Sequence, residues 1–377
     1  MDEATMVGAD QLQGRFRVRR RGRPTPPNDP SAARPAWGRN PPRVARAAAA
    51  AATLLALAGC GAGSRVAAAT AGAGHAQYRP HSPLTIGYSV YDLQSPYWQS
   101  YLQGVQAGAK ANRVKVVVAD QKSKELGQVA GSADLINQGV SALIVSPVQP
   151  AALPATVNAA HAAGIPVVIG DVGAIGQYDA YVQSDNQAGG ALAAKYLVGA
   201  LKGRPGMKEV GVIGLHSGST VGDERVAGFQ RELGKHRDFR IVSNLAGQDT
   251  VVTGFPAAQD MLAANPRIVG LFAADDPEAQ GASRAMRTAS KQAGKDIVLV
   301  GFNGDAPSQD LIASGEQTAT VAQDAFGQGE LAVRSALQLL HGQQPSFTDV
   351  TRRILEVPVT VVDKSNLTKF RAARAKQ

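Results

Sequence analysis

Residues 84–109, LTIGYSVYDLQSPYWQSYLQGVQAGA, decide the fold class because they switch from one periodicity to another. The first seven residues form a short apolar run with β-branched side chains, which is typical of a buried strand. After Pro96, large apolar side chains recur at three- and four-residue steps, and a proline is accepted in the first turn of a helix. The stretch therefore predicts a strand followed by an amphipathic helix.

The same alternation continues along the chain in two series. The further apolar runs are 114–119, 142–146 and 166–170, and then 209–214, 240–246, 268–273 and 297–302. Continuous apolar strands separated by helices are typical of parallel sheets that are covered on both faces. The two series, before and after about residue 185, predict an α/β protein with two doubly wound parallel-sheet lobes.

The charge of the chain is concentrated at its beginning. The formal net charge is +9, and ten arginines against four acidic residues give residues 1–59 a net charge of +6. The rest of the chain is therefore near +3, which excludes the basic footprint of a nucleic-acid-binding protein. We expect no nucleic-acid partner and no cofactor.

The only cysteine, Cys60, ends the stretch LALAGC at 55–60, so no disulfide can form within the chain. The apolar run 47–57 follows Arg43 and Arg46 and is shorter than the roughly 20 residues that span a bilayer, but it has the length of a secretory signal. Residues 57–60 resemble the lipobox of bacterial lipoproteins. That resemblance implies cleavage before Cys60, a lipid on its sulfur, and an exported, membrane-anchored protein; a free cysteine after an alanine-rich helix is the alternative.

Polar and aromatic side chains stand at the ends of the predicted strands, where open parallel sheets bind ligands. They are Ser89, Tyr91, Ser146, Asp171, Asp275 and Asn303, and the loops add Ser95, Tyr97, Trp98 and Arg225. This set lacks a nucleophile with a base, a metal cluster and a phosphate loop, which argues against an enzyme. Carboxylates and amides can hold vicinal hydroxyls, and flat rings can cover the C–H face of a sugar, so the set favours a polyhydroxylated ligand.

Several of these residues have a purely structural alternative. Asp171 could be a turn residue, Tyr97 or Trp98 could belong to the core, and Arg225 could pair with a surface acid. One of Asp275 and Asp276 is expected to cap the helix that begins near Pro277. We assign the cap to Asp276 and the ligand to Asp275.

Segments from about residue 84 to 362 resemble, in order, the ribose-type periplasmic sugar-binding proteins of carbohydrate ABC importers. They include residues 84–109, AAGIPVVIGD (162–171), YVQSDNQAGG (181–190) and VGLFAADDPEAQGASRAM (269–286). The resemblance implies a monomer whose two lobes close on a monosaccharide or polyol and deliver it to a permease. It also implies three hinge crossings, near 184–185, 323–324 and 353–354.

These crossings give expected domain boundaries. The segments are a signal peptide with a Pro/Arg-rich extension (1–59), a lipidated linker (60–83), a first lobe (84–184 and 324–353), a second lobe (185–323 and 354–363) and a basic tail (364–377).

The resemblance also implies a ligand pocket, and four positions depart from the ribose-type pattern. The pocket residues are Ser95, Tyr97, Trp98, Ser146, Asp171, Arg225, Gln248, Asp275, Asn303 and Gln323. Ribose binders carry arginine where Val172 stands, asparagine at Ser95 and Asp275, and aspartate at Asn303. Ribose itself is therefore not the expected ligand, and another pentose, a hexose, a polyol or a furanone-like signal remains open.

Two other roles share this fold. A binding lipoprotein can serve a sensor kinase or chemoreceptor instead of a permease. The effector domain of a sugar-responsive repressor would need a helix-turn-helix before residue 84, and the proline- and arginine-rich segment there does not provide one.

Overall fold

A computed structural model describes Tyr78, residues 82–173 and residues 175–377. The predicted signal peptide, the predicted lipidation site Cys60 and most of the predicted linker lie outside the described residues. Within the described part of the chain, no helix is both long and apolar enough to cross a membrane.

The elements alternate along the chain as the sequence predicts. The strands are β1 (Thr85–Val90), β2 (Lys115–Asp120), β3 (Ala142–Val145), β4 (Val167–Gly170), β5 (Ala180–Ser184), β6 (Lys208–Gly214), β7 (Phe239–Ala246), β8 (Ile268–Ala273), β9 (Val298–Asn303), β10 (Ala319–Ala322), β11 (Ile354–Val357) and β12 (Thr360–Asp363). The helices are α1 (Pro96–Ala111), α2 (Glu125–Asn137), α3 (Leu153–Ala162), α4 (Asn186–Leu201), α5 (Thr220–Leu233), α6 (Val251–Ala264), α7 (Asp276–Thr288), α8 (Ala306–Ser314), α9 (Ala325–Leu340) and α10 (Leu367–Arg374), with a 3-10 turn at Pro150–Ala152.

The strands form two sheets with the same internal order. The first sheet runs β11-β5-β4-β3-β1-β2 and the second runs β12-β10-β9-β8-β6-β7. All neighbours in the first sheet are parallel, and in the second only β12 is antiparallel, to β10. This architecture confirms the predicted class of two doubly wound α/β lobes.

Each sheet is covered on both faces, which explains its continuous apolar strands. Helices α1 and α9 pack on one face of the first sheet, and α2 and α3 pack on the other. Helices α4 and α5 cover one face of the second sheet, and α6 and α7 cover the other. In β6, for example, Val210 and Val212 join the first of these clusters while Ile213 joins the second, as the two-residue period of a strand requires.

The third hinge crossing differs from its expected position. Strand β11 pairs with β5 and belongs to the first lobe, whereas β12 pairs with β10 and belongs to the second. The crossing therefore falls at residues 358–359, and the expectation that residues 354–357 lie in the second lobe was wrong. A four-residue strand such as Ile354–Val357 carries no signal for which of two sheets it joins, so only the pairing decides it.

The expected basic tail is also partly structured. Helix α10 packs through Leu367 and Phe370 against Ile312 of α8 and Val362 of β12. Arg374, at its end, lies 3.2 Å from a carboxylate oxygen of Asp324 at the start of α9. The last residues thus brace the second crossing rather than extend from the domain.

Candidate functional site

The carboxyl ends of the two sheets face each other across a closed cleft. Asp171 follows β4 in the first lobe, and Asp275 follows β8 in the second. A Cβ atom added to Gly173 would lie 1.9 Å from Oγ1 of Thr220, at the start of α5. The lobes are therefore in contact at this point, and residue 173 has no room for a side chain.

Asp171 is buried in the cleft on a strained backbone. Its φ is +64°, a left-handed value that is uncommon outside glycine, and the residue is 3% exposed. The Tyr97 hydroxyl donates to Oδ1 of Asp171 at 2.6 Å, and the Tyr181 hydroxyl donates to its carbonyl at 2.9 Å. Burial raises the pKa of Asp171, and the positive charge of Arg225 in the second lobe opposes that rise.

Tyr97 is itself held by a residue that the sequence did not point to, Gln328. Nε2 of Gln328 lies 2.9 Å from the Tyr97 hydroxyl and 3.0 Å from Oγ of Ser184. Gln328 lies in the first turn of α9, directly after the second crossing, and Ser184 ends β5 at the first. The network therefore ties the Asp171 carboxylate to two of the three hinge segments.

Both Tyr97 and Trp98 pack in the aromatic part of the first lobe. The Trp98 ring stacks on Tyr91 with centroids 5.3 Å apart and an angle of 7° between the ring planes. The Tyr97 ring meets Trp98 edge-on, with centroids 4.9 Å apart. Burial, with the negative charges of Asp249, Asp92 and Asp275, raises the pKa of Tyr91 to about 12. Asp249 and Asp275 belong to the second lobe, so Tyr91 lies near that lobe.

Arg225 is the cation of the cleft, and it is 3% exposed. Its Nε donates to Oδ1 of Asn186 at 2.8 Å, and Nη1 donates to the carbonyl of Ala274 at 2.9 Å. The guanidinium carbon lies 4.1 Å from the centroid of the Phe302 ring. These contacts fix the plane of the guanidinium, so the side chain is a buried, oriented donor rather than half of a surface ion pair.

The close crossing of α4 and α5 sets the position of Arg225. A Cβ on Gly190 would lie 1.9 Å from the carbonyl oxygen of Arg225, so only glycine fits there. Asn186, which holds Nε, lies one turn earlier on α4, directly after the first crossing.

The expected roles of Asp275 and Asp276 are partly reversed. Asp275 is the N-cap of α7, because its Oδ1 accepts from the amide of Glu278 at 2.8 Å. Asp276 is fully buried and accepts from the amides of Gly304 and Asp305, each at 2.8 Å. Asp276 therefore fastens the loop after β9, and the assignment of the cap to it was wrong. Asp275 is buried, and this burial raises the pKa of its carboxyl well above the ordinary value.

Asn303 and Gln323 form a polar pair beside this loop. Asn303 ends β9 with a φ of +127°, and its Oδ1 accepts from Nε2 of Gln323 at 2.7 Å. Oε1 of Gln323 is buried and has no hydrogen-bond partner among the described residues. An unpaired buried acceptor is costly, and a hydroxyl donor in the cleft would satisfy it.

The remaining predicted residues lie around this group. Ser95 is the half-buried N-cap of α1, and its hydroxyl does not bond back to the helix. Ser146 is fully buried, with Oγ 3.1 Å from the Tyr88 hydroxyl. Gln248 is exposed in the loop between β7 and α6. The structure thus joins Asp171 to Tyr97 and Asn303 to Gln323, whereas the Ser146 hydroxyl bonds to Tyr88 in the core.

A second acidic group borders the cleft behind Asp275. Glu278 is fully buried, its Oε1 accepts from the amide of Asp249 at 3.1 Å, and burial with the charge of Asp275 raises its pKa to about 11. Asp249 in turn forms an ion pair with His216, whose pKa it raises. The pairing of His216 with Asp249 gives this histidine a structural role in holding the β7–α6 loop.

Sequence reasoning missed Asn186, Gln328 and Glu278. Asn186 and Gln328 share one signal, since each is a polar residue in the first turn of a helix that directly follows a crossing. Glu278 gave no such signal, because a glutamate in a first helical turn is ordinarily explained by the helix dipole.

Comparison with known proteins places the chain in a family. Residues 86–344 match the family described as the periplasmic binding protein domain. The ribose import binding protein of Bacillus subtilis (strain 168) is 32% identical over 266 residues, which cover 70% of this chain and 84% of that protein.

Solved structures agree. A solute-binding protein of an ABC transporter from Actinobacillus succinogenes 130z with bound D-allose has a TM-score of 0.70 and 25% identity, over 76% of this chain and 99% of that one. One from Mycobacterium smegmatis with bound glycerol has a TM-score of 0.68 and 28% identity, over 76% and 96%. The chain belongs to the periplasmic binding protein family.

Proposed function

We propose that the protein is the substrate-binding component of a carbohydrate ABC importer and captures a neutral monosaccharide or polyol by lobe closure. The observation that carries the proposal is the buried group of Asp171, Arg225 and Asp275 between the lobes. All three residues are less than a tenth exposed; Asp171 belongs to the first lobe, and Arg225 and Asp275 belong to the second. The relatives named above are a ribose import protein and solute-binding proteins with bound D-allose and glycerol.

The chemistry of the cleft favours a ligand rich in hydroxyl groups. Asp171 and the unpaired Oε1 of Gln323 offer acceptors, and Arg225 offers Nη2, the nitrogen that its bonds to Asn186 and Ala274 do not use. A hydroxyl can donate to the first two and accept from the third. The ten predicted pocket residues remain candidates on this basis, with Asp171, Arg225 and Gln323 the most directly supported.

The balance of charge disfavours an anionic ligand. Two acidic residues, Asp171 and Asp275, stand against the guanidinium of Arg225, and all three are buried. A phosphate or carboxylate would enter a dry site that offers it one cation, and it would lie beside two acidic side chains that repel it whenever they are ionised. We also propose that the protein binds and releases its ligand unchanged, as a carrier and not as an enzyme.

Closure about the crossings would convert ligand binding into a change of shape. Three chain segments join the lobes, so the permitted motion is a rotation that opens the edge opposite them. The permease would receive the ligand from the closed form.

Isothermal titration of residues 61–377 with D-ribose, D-allose, glycerol and D-ribose 5-phosphate tests the proposal. We expect at least one neutral compound to bind and the phosphate to bind more weakly than ribose. Preference for the phosphate, or failure of a wider panel of sugars and polyols to bind, would contradict it.

We also propose that the protein is exported and anchored by lipid at Cys60. The lipobox-like residues 57–60 and the preceding short apolar run support this. Mass spectrometry of the native protein should find a lipidated N-terminal cysteine and no residue before it, and Cys60→Ala should abolish the lipid. An unmodified thiol at Cys60 in the exported protein would refute the anchor.

A further inference from the structure

The second crossing is held by a residue of the last helix, Arg374. Helix α10 belongs to the second lobe, because Phe370 packs in one cluster with Val362 of β12 and Arg371 pairs with Asp310 of α8 at 2.5 Å. The helix lies beyond the residues that match the family, so the match says nothing of its role.

The guanidinium of Arg374 holds both residues of the crossing. Nη2 donates to the carbonyl of Gln323, the last residue before the crossing. Nη1 lies 3.2 Å from Oδ1 of Asp324, the first residue after it and the N-cap of α9 in the first lobe. The guanidinium carbon lies 5.2 Å from the centroid of the Phe370 ring, one turn earlier on α10, and this contact restricts its orientation. Arg374 therefore spans the junction between the two lobes.

The carbonyl of Gln323 lies between two regular elements and belongs to neither. The last residue of β10 paired in the sheet is Ala322, and the first backbone bond of α9 runs from the amide of Gln328 to the carbonyl of Asp324. No backbone amide among the described residues donates to the Gln323 carbonyl. Arg374 thus supplies the donor that neither the sheet nor the helix supplies.

This carbonyl matters because Gln323 carries a candidate ligand acceptor. Its amide donates to the carbonyl of Asn303 at 3.0 Å, and its Nε2 donates to Oδ1 of the same residue at 2.7 Å. Its Oε1 is buried and unpaired among the described residues. With Arg374 on the carbonyl, both backbone polar groups of Gln323 are bonded, so the direction of its Cα–Cβ bond is fixed.

Packing alone does not hold this crossing. A cavity of about 140 Å³ lies beside the end of α10, and Gln323 and Asp324 of the second crossing and Pro358 of the third are among the residues that line it. Close-packed interiors contain few such voids, so the cavity leaves the peptide between Gln323 and Asp324 room to turn once its bond to Arg374 is lost.

We propose that Arg374 is a positioning residue for ligand binding, which holds the carbonyl of Gln323 so that Oε1 of Gln323 meets a ligand hydroxyl. The inference rests on the proposed function, which makes Gln323 part of the pocket. Arg374 acts through Gln323 and not by contact with the ligand. Its ion pair with Asp324 adds little to stability, because the Asp324 side chain is 40% exposed.

The test compares Arg374→Gln with Arg371→Gln in the native exported protein. Arg371 is a matched control, because it lies on the same helix and its two bonds, to Gln309 at 3.1 Å and Asp310 at 2.5 Å, stay within the second lobe. Titration calorimetry uses whichever of D-ribose, D-allose and glycerol binds most tightly. We expect Arg374→Gln to weaken binding about tenfold and Arg371→Gln by less than about twofold, with similar melting temperatures for both.

A double-mutant cycle tests whether Arg374 acts through Gln323. Gln323→Ala removes the Oε1 acceptor, so the position of the Gln323 backbone no longer affects the ligand. In that background, Arg374→Gln should weaken binding by no more than about a further twofold. A tenfold loss in both backgrounds would show that Arg374 acts independently of Gln323 and would overturn the inference.

Hydrogen exchange gives a measurement that needs no sugar. Without ligand, the backbone amide of Gln323 should exchange about tenfold faster in Arg374→Gln than in the wild type and at the wild-type rate in Arg371→Gln, because only the first variant frees the crossing. Unchanged exchange, unchanged affinity, or a melting temperature far lower in Arg374→Gln alone would each refute the positioning role. If exchange rises as expected while no sugar or polyol binds, Arg374 still positions Gln323 and the proposed ligand class is wrong.

Discussion

Replacement of Asp171 by asparagine separates ligand binding from folding better than any truncation. The Tyr97 hydroxyl donates to Oδ1 of Asp171 at 2.6 Å, and an amide oxygen can accept the same bond. Asparagine also tolerates the φ of +64° better than alanine does. Asp171→Asn therefore keeps the shape and the internal bond and removes only the charge and one acceptor.

The magnitude follows from the bond that the ligand would lose. A hydrogen bond to a charged group is worth about 1.5–3 kcal/mol, so the loss of one should weaken binding roughly 10- to 150-fold. Asp171→Ala should weaken it by at least about 100-fold, since it removes both acceptors. Alanine also leaves the buried Tyr97 hydroxyl without this acceptor and strains the backbone, so this variant should melt lower as well.

The assays are titration calorimetry with the tightest neutral ligand of the panel and thermal unfolding without ligand. We expect Asp171→Asn to melt close to the wild-type temperature, because burial already raises the pKa of the carboxyl and asparagine carries no charge to desolvate. An Asp171→Asn protein that binds as tightly as the wild type would show that the carboxylate accepts no ligand hydroxyl. One that melts far lower would assign Asp171 a structural role instead.

Three further changes test other parts of the site. Gly173→Ala should weaken ligand binding about tenfold without lowering the melting temperature, because the new Cβ meets Thr220 only when the lobes close. Equal affinity by calorimetry would show that the closed form can accommodate a side chain at residue 173. Arg225→Lys should also weaken binding about tenfold or more, since an ammonium cannot reproduce the fixed fork that holds Asn186 and Ala274, and unchanged titration would remove Arg225 from the site. Glu278→Gln should flatten the pH dependence of unfolding. The pKa of Glu278 is raised from 4.5 to about 11, so the native state holds the proton and stability falls as pH rises through that window. The neutral amide does not titrate, so this loss of stability should disappear. Melting curves between pH 5 and 9, with the exposed Glu330→Gln as control, check it, and a slope identical in both variants would contradict it.

The fold was predictable where long apolar runs carried the information. Strands such as Ala142–Val145 are buried on both faces, so their sequence is apolar without a break. The register of short segments was not predictable, because Ile354–Val357 could pair with either sheet. The error at Asp275 and Asp276 has a similar origin: helix α7 begins one residue earlier than its proline suggested, since the amides of Gly304 and Asp305, distant in sequence, claim the Asp276 carboxylate.

The candidate site was predictable as a set of strand ends and not as a network. Asp171 and Asn303 could be placed at the cleft because parallel strands end there. The partners that orient them, Gln328 and Gln323, come from segments more than one hundred and about twenty residues away in the chain respectively, and single-sequence patterns carry no such pairings.

The late position of β11 and β12 has a consequence for the biogenesis of the chain. These two strands, separated by residues 358–359, each supply one edge of a sheet, β11 in the first and β12 in the second, and both follow every other described strand along the chain. Until they arrive, β5 and β10 keep open edges, and neither lobe can be completed. We expect a chain ended after Arg353 to be cleaved by protease in both halves, whereas resistance of either half would show that it matures alone. A polypeptide built in this way completes neither sheet until the last two of its described strands have been synthesised.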